Sequence, residues 1–236
     1  MTDLIRTVHL TGSTNDDLAS LAREGAPEGI WLRAERQSGG RGRQGREWHS
    51  PPGNLHASTI VRVRPGDPPA PTLALVAAVA LHEVACAFAT RAPIEIKWPN
   101  DLMVVGAKLS GILLERLDDA VIVGFGVNLA DHPDEAERPS ISFGQLGGAP
   151  DPARFLEALA ETFARWVERW REEGLEPVRT RWLAAAHVPG TALSTHTASG
   201  DSIEGSFEGI DETGALKLRL ADGSSHIVHA GDVFLV

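Results

Sequence analysis

Residues 37–46 carry the densest chemical signal in the chain, because Arg41, Arg43 and Arg46 stand there among four glycines. No acidic residue occurs between positions 36 and 46. A guanidinium group donates hydrogen bonds in a fixed fork that matches carboxylate and phosphate oxygens. Successive backbone N–H groups in a glycine-rich loop can also surround an anion. The segment therefore predicts a flexible anion-binding loop, and a solvated surface loop is the alternative interpretation.

The glycines at 40, 42 and 45 also match the spacing Gly-x-Gly-x-x-Gly of a dinucleotide-binding fingerprint. That fingerprint needs a helix directly after its glycines, so that the helix N-terminus faces the pyrophosphate. The residues that follow, 46–53, contain two prolines and no helix start. We therefore exclude a dinucleotide site at this loop.

Two shorter segments place polar residues where predicted strands end or begin. Asn100 and Asp101 follow a proline, and a carboxylate beside an amide suits a Mg²⁺ ion that takes its other ligands from phosphates and water. Such residues are also ordinary turn formers. Lys108 begins a strand in which Gly111 lets a ligand approach the backbone, although an exposed edge lysine is the alternative.

The composition is that of an ordinary globular protein, with 42% hydrophobic residues among 236. With 22 basic and 32 acidic residues the net charge is −10, which argues against a general nucleic-acid binder. The single cysteine cannot form an internal disulfide, and the start lacks the pattern of a signal peptide. No apolar run approaches the roughly 18–20 residues of a membrane span. We expect a soluble, cytoplasmic protein.

The hydrophobic pattern predicts an α+β chain that ends in a separate β region. Period-two alternation and short turns over 94–128 predict an antiparallel meander. Short strands at regular spacing over 190–236 predict a small SH3-like barrel. We place the boundary between a main domain, 1–187, and a C-terminal β domain, 188–236. Helices are predicted over 72–90, 152–173 and 176–186.

Taken in order, these segments resemble the biotin–protein ligases, also called biotin–[acetyl-CoA-carboxylase] ligases. The run Gly-Arg-Gly-Arg-x-Gly-Arg-x-Trp at 40–48, combined with Lys-Trp-Pro-Asn-Asp at 97–101, makes the resemblance specific. It implies a class II synthetase-like ligase domain, with a mixed or antiparallel sheet flanked by helices, and a C-terminal SH3-like β-barrel. The other matching stretches are Ser13-Thr14-Asn15, 37–58, 108–115 and 124–129.

The resemblance implies that the carboxylate of biotin attacks the α-phosphorus of ATP, which releases pyrophosphate and leaves biotinyl-AMP. A carrier-protein lysine then attacks this anhydride. ATP and biotin are thus expected substrates, with Mg²⁺, and the expected partner is the biotin carboxyl carrier protein of acetyl-CoA carboxylase or of a related biotin-dependent carboxylase.

The resemblance also implies roles for individual residues. Lys108 and Arg43 are the catalytic candidates, placed at the carboxylate and the α-phosphate, and Asp101 is the candidate magnesium ligand. Gly40 and Gly111 are expected to leave room for the ligand. Biotin is expected to contact Ser13, Thr14, Asn15, Gln37, Gly40, Arg41, Gly42, Arg43, Lys108 and Gly111. ATP and the adenylate are expected to contact Arg41, Arg43, Arg46, Trp48, Asn100, Lys108 and Asn128.

Many biotin–protein ligases carry a DNA-binding helix-turn-helix before the ligase domain. Here Ser13 is already a predicted site residue, so the chain is expected to be of the ligase-only type, with no nucleic acid and no membrane as partner. Residues 187–236 agree, because they hold seven acidic and two basic residues. A monomer and a homodimer are both compatible with the sequence.

Two other functions compete with biotin ligation. A lipoate–protein ligase shares the fold and an element like Lys108…Gly111, but its usual Arg-Arg-x-x-Gly-Gly-Gly sequence is absent. A biotin-sensing module that binds without ligating is the second alternative. The presence of Arg43, Lys108 and the Asn-Asp turn argues against it, because capture of biotin alone would not need them.

Overall fold

A computed structural model describes residues 4–134, 139–196, 202–229 and 231–235. These ranges contain twelve strands and four α-helices, which follow the predicted order closely. The elements are β1 (Ile5–Thr11), α1 (Thr14–Arg23), β2 (Trp31–Gln37), β3 (Leu55–Arg62), α2 (Leu73–Phe88), β4 (Ile94–Lys97), β5 (Asp101–Val104), β6 (Ala107–Leu117), β7 (Ala120–Val127), α3 (Pro152–Glu173), α4 (Glu176–Leu183), β8 (Ala192–His196), β9 (Ser202–Ile210), β10 (Leu216–Arg219), β11 (Ser225–Val228) and β12 (Val233–Leu235).

Seven strands form the main sheet, in the order β1-β2-β3-β7-β6-β5-β4. β1 and β2 run parallel, and all other neighbours run antiparallel. The predicted meander over β4 to β7 is therefore confirmed. The β5–β6 turn is tight because Val105 and Gly106 both adopt positive φ, at 48° and 78°, and this conformation matches the twist of a two-residue hairpin.

The two faces of the main sheet are covered differently. One face carries Phe125 and packs against α2 and α3; Trp31 stacks on Phe125, and Phe163 meets it edge-on. The other face is covered by α1 only at one end, where Leu18 packs in a small cluster with Ile60. Since side chains alternate along strands, the same face continues past this cluster without a helix above it. The candidate site lies on that uncovered part.

The alanine-rich helix α2 lies in the middle of the protein. With the turn before it, the segment Ala70–Phe88 spans 19 residues at a mean hydropathy of 1.7, so its length and composition would suffice to cross a membrane. The expectation that no apolar run reaches this length is therefore wrong. However, 67% of the most apolar stretch of this segment is buried inside the protein, between the sheet and the helices α3 and α4. The hydrophobicity of α2 therefore belongs to the core.

The C-terminal strands form a second, five-stranded antiparallel sheet in the order β11-β10-β9-β8-β12. Its core side chains join the hydrophobic core of the main domain, and the rings of Trp182 in α4 and Phe207 in β9 lie 6.4 Å apart. The indole N–H of Trp98 also donates to the carbonyl of Gly214 at 3.1 Å. The boundary predicted after residue 187 falls between α4 and β8, and as a domain division it stays a prediction.

A buried asparagine fixes the chain after β7. The side-chain oxygen of Asn54 accepts hydrogen bonds from the backbone N–H groups of Leu129, Ala130 and Asp131 at 2.9–3.0 Å. Its Nδ2 donates to the carbonyl of Asp131 at 2.8 Å. Asn54 is 2% exposed, so solvent does not replace these bonds, and this one side chain joins the start of β3 to the segment that follows β7.

We expect Asn54→Ala to lower the free energy of unfolding by about 3 kcal/mol, because each buried polar group without a partner costs about 1–3 kcal/mol. Urea unfolding followed by tryptophan fluorescence measures the change. Gln145→Ala removes an exposed amide side chain and is the matched control, with a change of less than about 0.5 kcal/mol. A loss under about 0.5 kcal/mol for Asn54→Ala, the range of a neutral surface substitution, would contradict the assignment.

Candidate active site

A cleft with about 1160 Å³ of empty space, its open mouth included, lies on the uncovered face of the main sheet. The sequence-predicted site residues come from six parts of the chain. These are α1, β2, the arginine-rich loop over 38–46 (the arginine loop), the β4–β5 turn, β6 and the end of β7. The structure brings all of them to this cleft except Gly40. Those that line it are Ser13, Thr14, Asn15, Gln37, Arg41, Gly42, Arg43, Arg46, Trp48, Asn100, Asp101, Lys108, Gly111 and Asn128.

The floor of the cleft is a patch of sheet without side chains. Gly111 and Gly126 are partners in the β6–β7 register, and Gly124 is next on the same face. A Cβ atom at Gly126 would lie 2.4 Å from the indole of Trp48, and one at Gly124 would lie 2.3 Å from Oδ1 of Asn15. Glycine in a strand often marks such a close approach. Because these positions are glycines, the side chains of Trp48 and Asn15 can approach the sheet backbone closely.

Gly40 has a different neighbourhood from the one predicted. A Cβ atom there would lie 2.7 Å from Oγ of Ser50 and 2.8 Å from Nε2 of Gln37. Gln37 donates to Ser50 at 3.1 Å, and Ser50 donates to the carbonyl of Trp48 at 3.0 Å. The absence of a side chain at Gly40 therefore makes room for the protein's own polar contacts, and Gly40 does not line the cleft.

A chain of buried polar groups forms one end of the cleft. Gln37 Oε1 accepts from the backbone N–H of Thr14 at 2.8 Å, and the hydroxyls of Thr14 and Ser58 lie 2.7 Å apart. Ser58 donates to Oδ1 of Asn15 at 2.6 Å, and Nδ2 of Asn15 donates to Glu115 at 2.6 Å. Each amide is thereby fixed in one orientation, because its oxygen and its nitrogen have different partners.

This polar end sits at the N-terminus of α1. Ser13 caps the helix, since its hydroxyl accepts from the N–H of Asp16 at 3.4 Å, and its backbone is extended as a cap requires. Arg41 donates to both carboxylate oxygens of Asp16, at 2.6 and 2.8 Å. That guanidinium lowers the pKa of Asp16 by its hydrogen bonds and its charge, against the opposing effect of burial. Arg41 thus faces the polar end.

The other two loop arginines point across the cleft toward the C-terminal domain. Arg43 donates to Oδ1 of Asn100 at 3.4 Å and to the carbonyl of Gly231 at 3.0 Å. Arg46 contacts the carboxylate of Asp232 directly, and Arg43 lies 3.5 Å from the other oxygen of that group. The arginine loop is therefore divided, with one cation at the polar end and two at the opposite end.

Lys108 and Asp101 form an ion pair inside the cleft, with Nζ and Oδ1 2.7 Å apart. The second oxygen of Asp101 lies 4.0 Å from Nζ of Lys97. Both oxygens thus face ammonium groups, which repel a cation. Across the described ranges, no three His, Cys, Asp or Glu side chains are grouped as metal ligands. Asp101 thus holds Lys108, and its role as a magnesium ligand stays a prediction.

Three further predicted residues shape the cleft wall. Asn100 donates to the carbonyl of Ile112 at 2.6 Å, and Asn128 donates to the carbonyl of Lys108 at 3.3 Å, so these amides hold the backbone around the cleft. The indole nitrogen of Trp48 is buried without a hydrogen-bond partner among the described groups. Nζ of Lys108 lies 5.5 Å from its ring, within range of a cation–π contact.

Comparison with known proteins agrees with this architecture. A model of the biotin/lipoate A/B protein ligase family matches residues 9–128, and a model of the biotin protein ligase C-terminal domain matches residues 196–236. A biotin–[acetyl-CoA-carboxylase] ligase of Paracoccus denitrificans is 41% identical over 95% of this chain and 97% of its own. The chain belongs to the biotin/lipoate A/B protein ligase family. The predicted resemblance is confirmed.

Other members of this ligase family support the same conclusion. The bifunctional ligase/repressor BirA of Bacillus subtilis is 34% identical, over 92% of this chain and 70% of its own. A structure of the Aquifex aeolicus biotin protein ligase, in complex with biotin and ATP, superposes with a TM-score of 0.88 over 98% of this chain and 99% of that one. At 22% identity this likeness supports the fold, and the predicted α+β ligase fold with its C-terminal β domain is confirmed.

Sequence reasoning missed several residues of this ligase cleft. Gly124 and Gly126 were detectable, because two glycines at alternate positions of a strand leave one face bare. Ser58, Glu115 and Asp232 had no such signal, since each gains its place only by contact with a residue far away along the chain.

We expect Gly126→Ala to push the indole of Trp48 off the sheet, because the new methyl group would lie 2.4 Å from it. Hydrogen exchange of the Trp48 indole N–H, followed by NMR, should accelerate by at least about tenfold as it gains solvent access. Gly42→Ala is the control in the same cleft, since its Cβ would meet only a carbonyl at 3.8 Å. Equal exchange rates in the two variants would refute the close approach.

Proposed function

We propose that this chain joins biotin to a lysine of a carrier protein at the expense of ATP, through biotinyl-AMP. The cleft carries the proposal: it has a hydrogen-bonding end at Thr14, Asn15 and Gln37, and a cationic end at Arg43 and Lys108. Biotin has the same two ends, a polar ureido ring and a carboxylate. The ligase relatives and the family models support this assignment.

The first step needs cations because it brings a carboxylate to a triphosphate. The attacking oxygen and the α-phosphate are both negative, so their repulsion must be offset before a bond forms. Lys108 is suited to this role, since it is two-thirds buried and held by Asp101 at 2.7 Å. Arg43 is the second candidate, because its guanidinium lies in the cleft between Asn100 and Gly231. The products are pyrophosphate and biotinyl-AMP.

In the second step the carrier lysine attacks the carbonyl of biotinyl-AMP, forms the amide and releases AMP. This anhydride reacts with water, so the enzyme must enclose it until the carrier binds. The arginine loop is placed to do so, because its cations stand at both ends of the cleft. Two relatives are named as ligases of acetyl-CoA carboxylase. The carrier proposed for this chain is therefore the biotin carboxyl carrier protein of that enzyme or of a related carboxylase.

We further propose the metal, the compartment, the partners and the domain division of this enzyme. Magnesium accompanies ATP, with its oxygens supplied by the phosphates and water. The enzyme acts in the cytoplasm and has neither nucleic acid nor a membrane as a partner. A monomer and a homodimer are both compatible with this function. We propose the domain division after residue 187, where α4 has ended and the second sheet has not begun.

Lipoate ligation is the competing chemistry within the family. The match of residues 196–236 to the biotin protein ligase C-terminal domain favours biotin. Calorimetric titration with biotin and with lipoate separates the two functions. Biotin-dependent exchange of pyrophosphate into ATP then distinguishes the ligase from a module that only senses biotin.

We expect Lys108→Ala to slow biotin-dependent ATP–pyrophosphate exchange by about 10²–10³, the usual effect of losing one preorganised charge contact. The fold should be spared, because the side chain is one-third exposed and leaves no closed cavity. Lys217→Ala, in β10, removes a lysine outside the cleft and is the matched control. Exchange by Lys108→Ala within about threefold of the unaltered enzyme would exclude this role.

We expect Arg43→Gly to release biotinyl-AMP before a carrier arrives. Loss of charge-assisted contacts should raise the release rate by roughly one to two decades, more than it slows formation. The leak is measured by incubating the variant with ATP, biotin and serum albumin and probing albumin with streptavidin. Arg36→Gly removes an exposed arginine outside the cleft and is the control. If albumin stays unlabelled while pyrophosphate exchange is intact, Arg43 does not retain biotinyl-AMP, and Arg41 or Arg46 becomes the candidate.

A further inference from the structure

The cationic end of the cleft already contains an anion that belongs to the protein. Asp232 places one carboxylate oxygen against Nη2 of Arg46 and the other 3.5 Å from Nη1 of Arg43. Its side chain is 19% exposed, and it lines the same cleft as the two arginines. No other described carboxylate contacts either guanidinium at salt-bridge distance.

The carboxylate is anchored to the C-terminal domain. Asp232 directly precedes β12, whose Val233 pairs with Thr195 of β8. The hydroxyl of Thr195 also donates to the backbone carbonyl of Asp232 at 2.9 Å. The arginines belong to the main domain, in a loop whose ordering is costly because glycines separate them. One ion pair therefore joins a fixed point in the second domain to a flexible loop in the first.

Asp232 is charged at neutral pH. Burial alone would raise its pKa, but the hydrogen bond and charge of Arg46, with the charges of Arg43 and Lys97, hold the pKa below the ordinary value. A phosphate group entering this end of the cleft needs the same N–H donors. It would also be repelled by the carboxylate that now occupies them. Asp232 lies against Nη2 of Arg46 and faces Nη1 of Arg43, so a phosphate that approaches these two nitrogens competes with it.

We propose that Asp232 is the resident counter-ion of Arg43 and Arg46, and that a nucleotide phosphate displaces it on binding. This rests on the proposed function, since it assumes that ATP enters the cationic end. Asp232 then sets nucleotide affinity without contacting the substrate, because each binding event must first exchange one anion for another. It also gives the C-terminal domain a direct effect on the nucleotide site.

Calorimetric titration of the full chain with ATP tests the exchange. Asp232→Asn keeps the shape and removes the charge, so we expect ATP to bind about fivefold more tightly, the upper range for a partly exposed ion pair. Asp232→Glu keeps the charge and should stay within about twofold of the unaltered chain. Asp222→Asn, a fully exposed aspartate of the same domain, should likewise change nothing.

Two further measurements separate displacement from a structural role. The biotin affinity of Asp232→Asn should match that of the unaltered chain, whereas its thermal midpoint should fall because the ion pair is lost. In an Arg46→Gln background the gain from Asp232→Asn should shrink to under about twofold, because the competed donor is gone. Weaker or unchanged ATP binding by Asp232→Asn, or a full gain in the Arg46→Gln background, would overturn the inference. If the unaltered chain binds no ATP, the proposed function itself fails.

Discussion

The bare strip of sheet formed by Gly111, Gly124 and Gly126 is the constraint on which the site depends. Antiparallel pairing places these positions side by side on one face, and there a methyl group at Gly124 or Gly126 would collide with a site residue. Because the strip has no side chains, Asn15 and Trp48 can approach the backbone and leave the cleft between them. The opposite face keeps its large apolar residues, so the core is intact beneath the cleft.

Most of the cations in the cleft are paired with carboxylates of the same protein. The chain is acidic overall, yet its cleft collects cations, and several of these are paired with a carboxylate from another element. Arg41 pairs with Asp16 of α1, Lys108 with Asp101 of β5, and Arg46 with a residue beside β12. Such pairs hold long side chains in place before any ligand arrives. The cations of the cleft are therefore held by partners within the protein.

The local features of this protein were readable from the sequence. The hydrophobic pattern predicted the meander over 94–128 and the helices over 72–90, 152–173 and 176–186, because the spacing of apolar residues follows the face that each element buries. The arginine loop, the Lys-Trp-Pro-Asn-Asp turn and the Lys108 strand were recognisable as chemistry, since glycine, arginine and lysine have few structural reasons to cluster in that order. Those segments also sufficed for the family resemblance, which the family models confirm.

What only the tertiary structure decided is which of these groups meet. Asn15 and Glu115 are 100 residues apart, and Arg46 and Asp232 are 186 apart, so no local pattern links them. The same reason explains two contacts that the sequence did not predict: Gly40 makes room for Gln37 and Ser50, and Asp101 holds Lys108. A residue's type limits the bonds it can form, and that much the sequence determined. Its partner depends on how the sheets and loops pack, and only the folded chain specifies it.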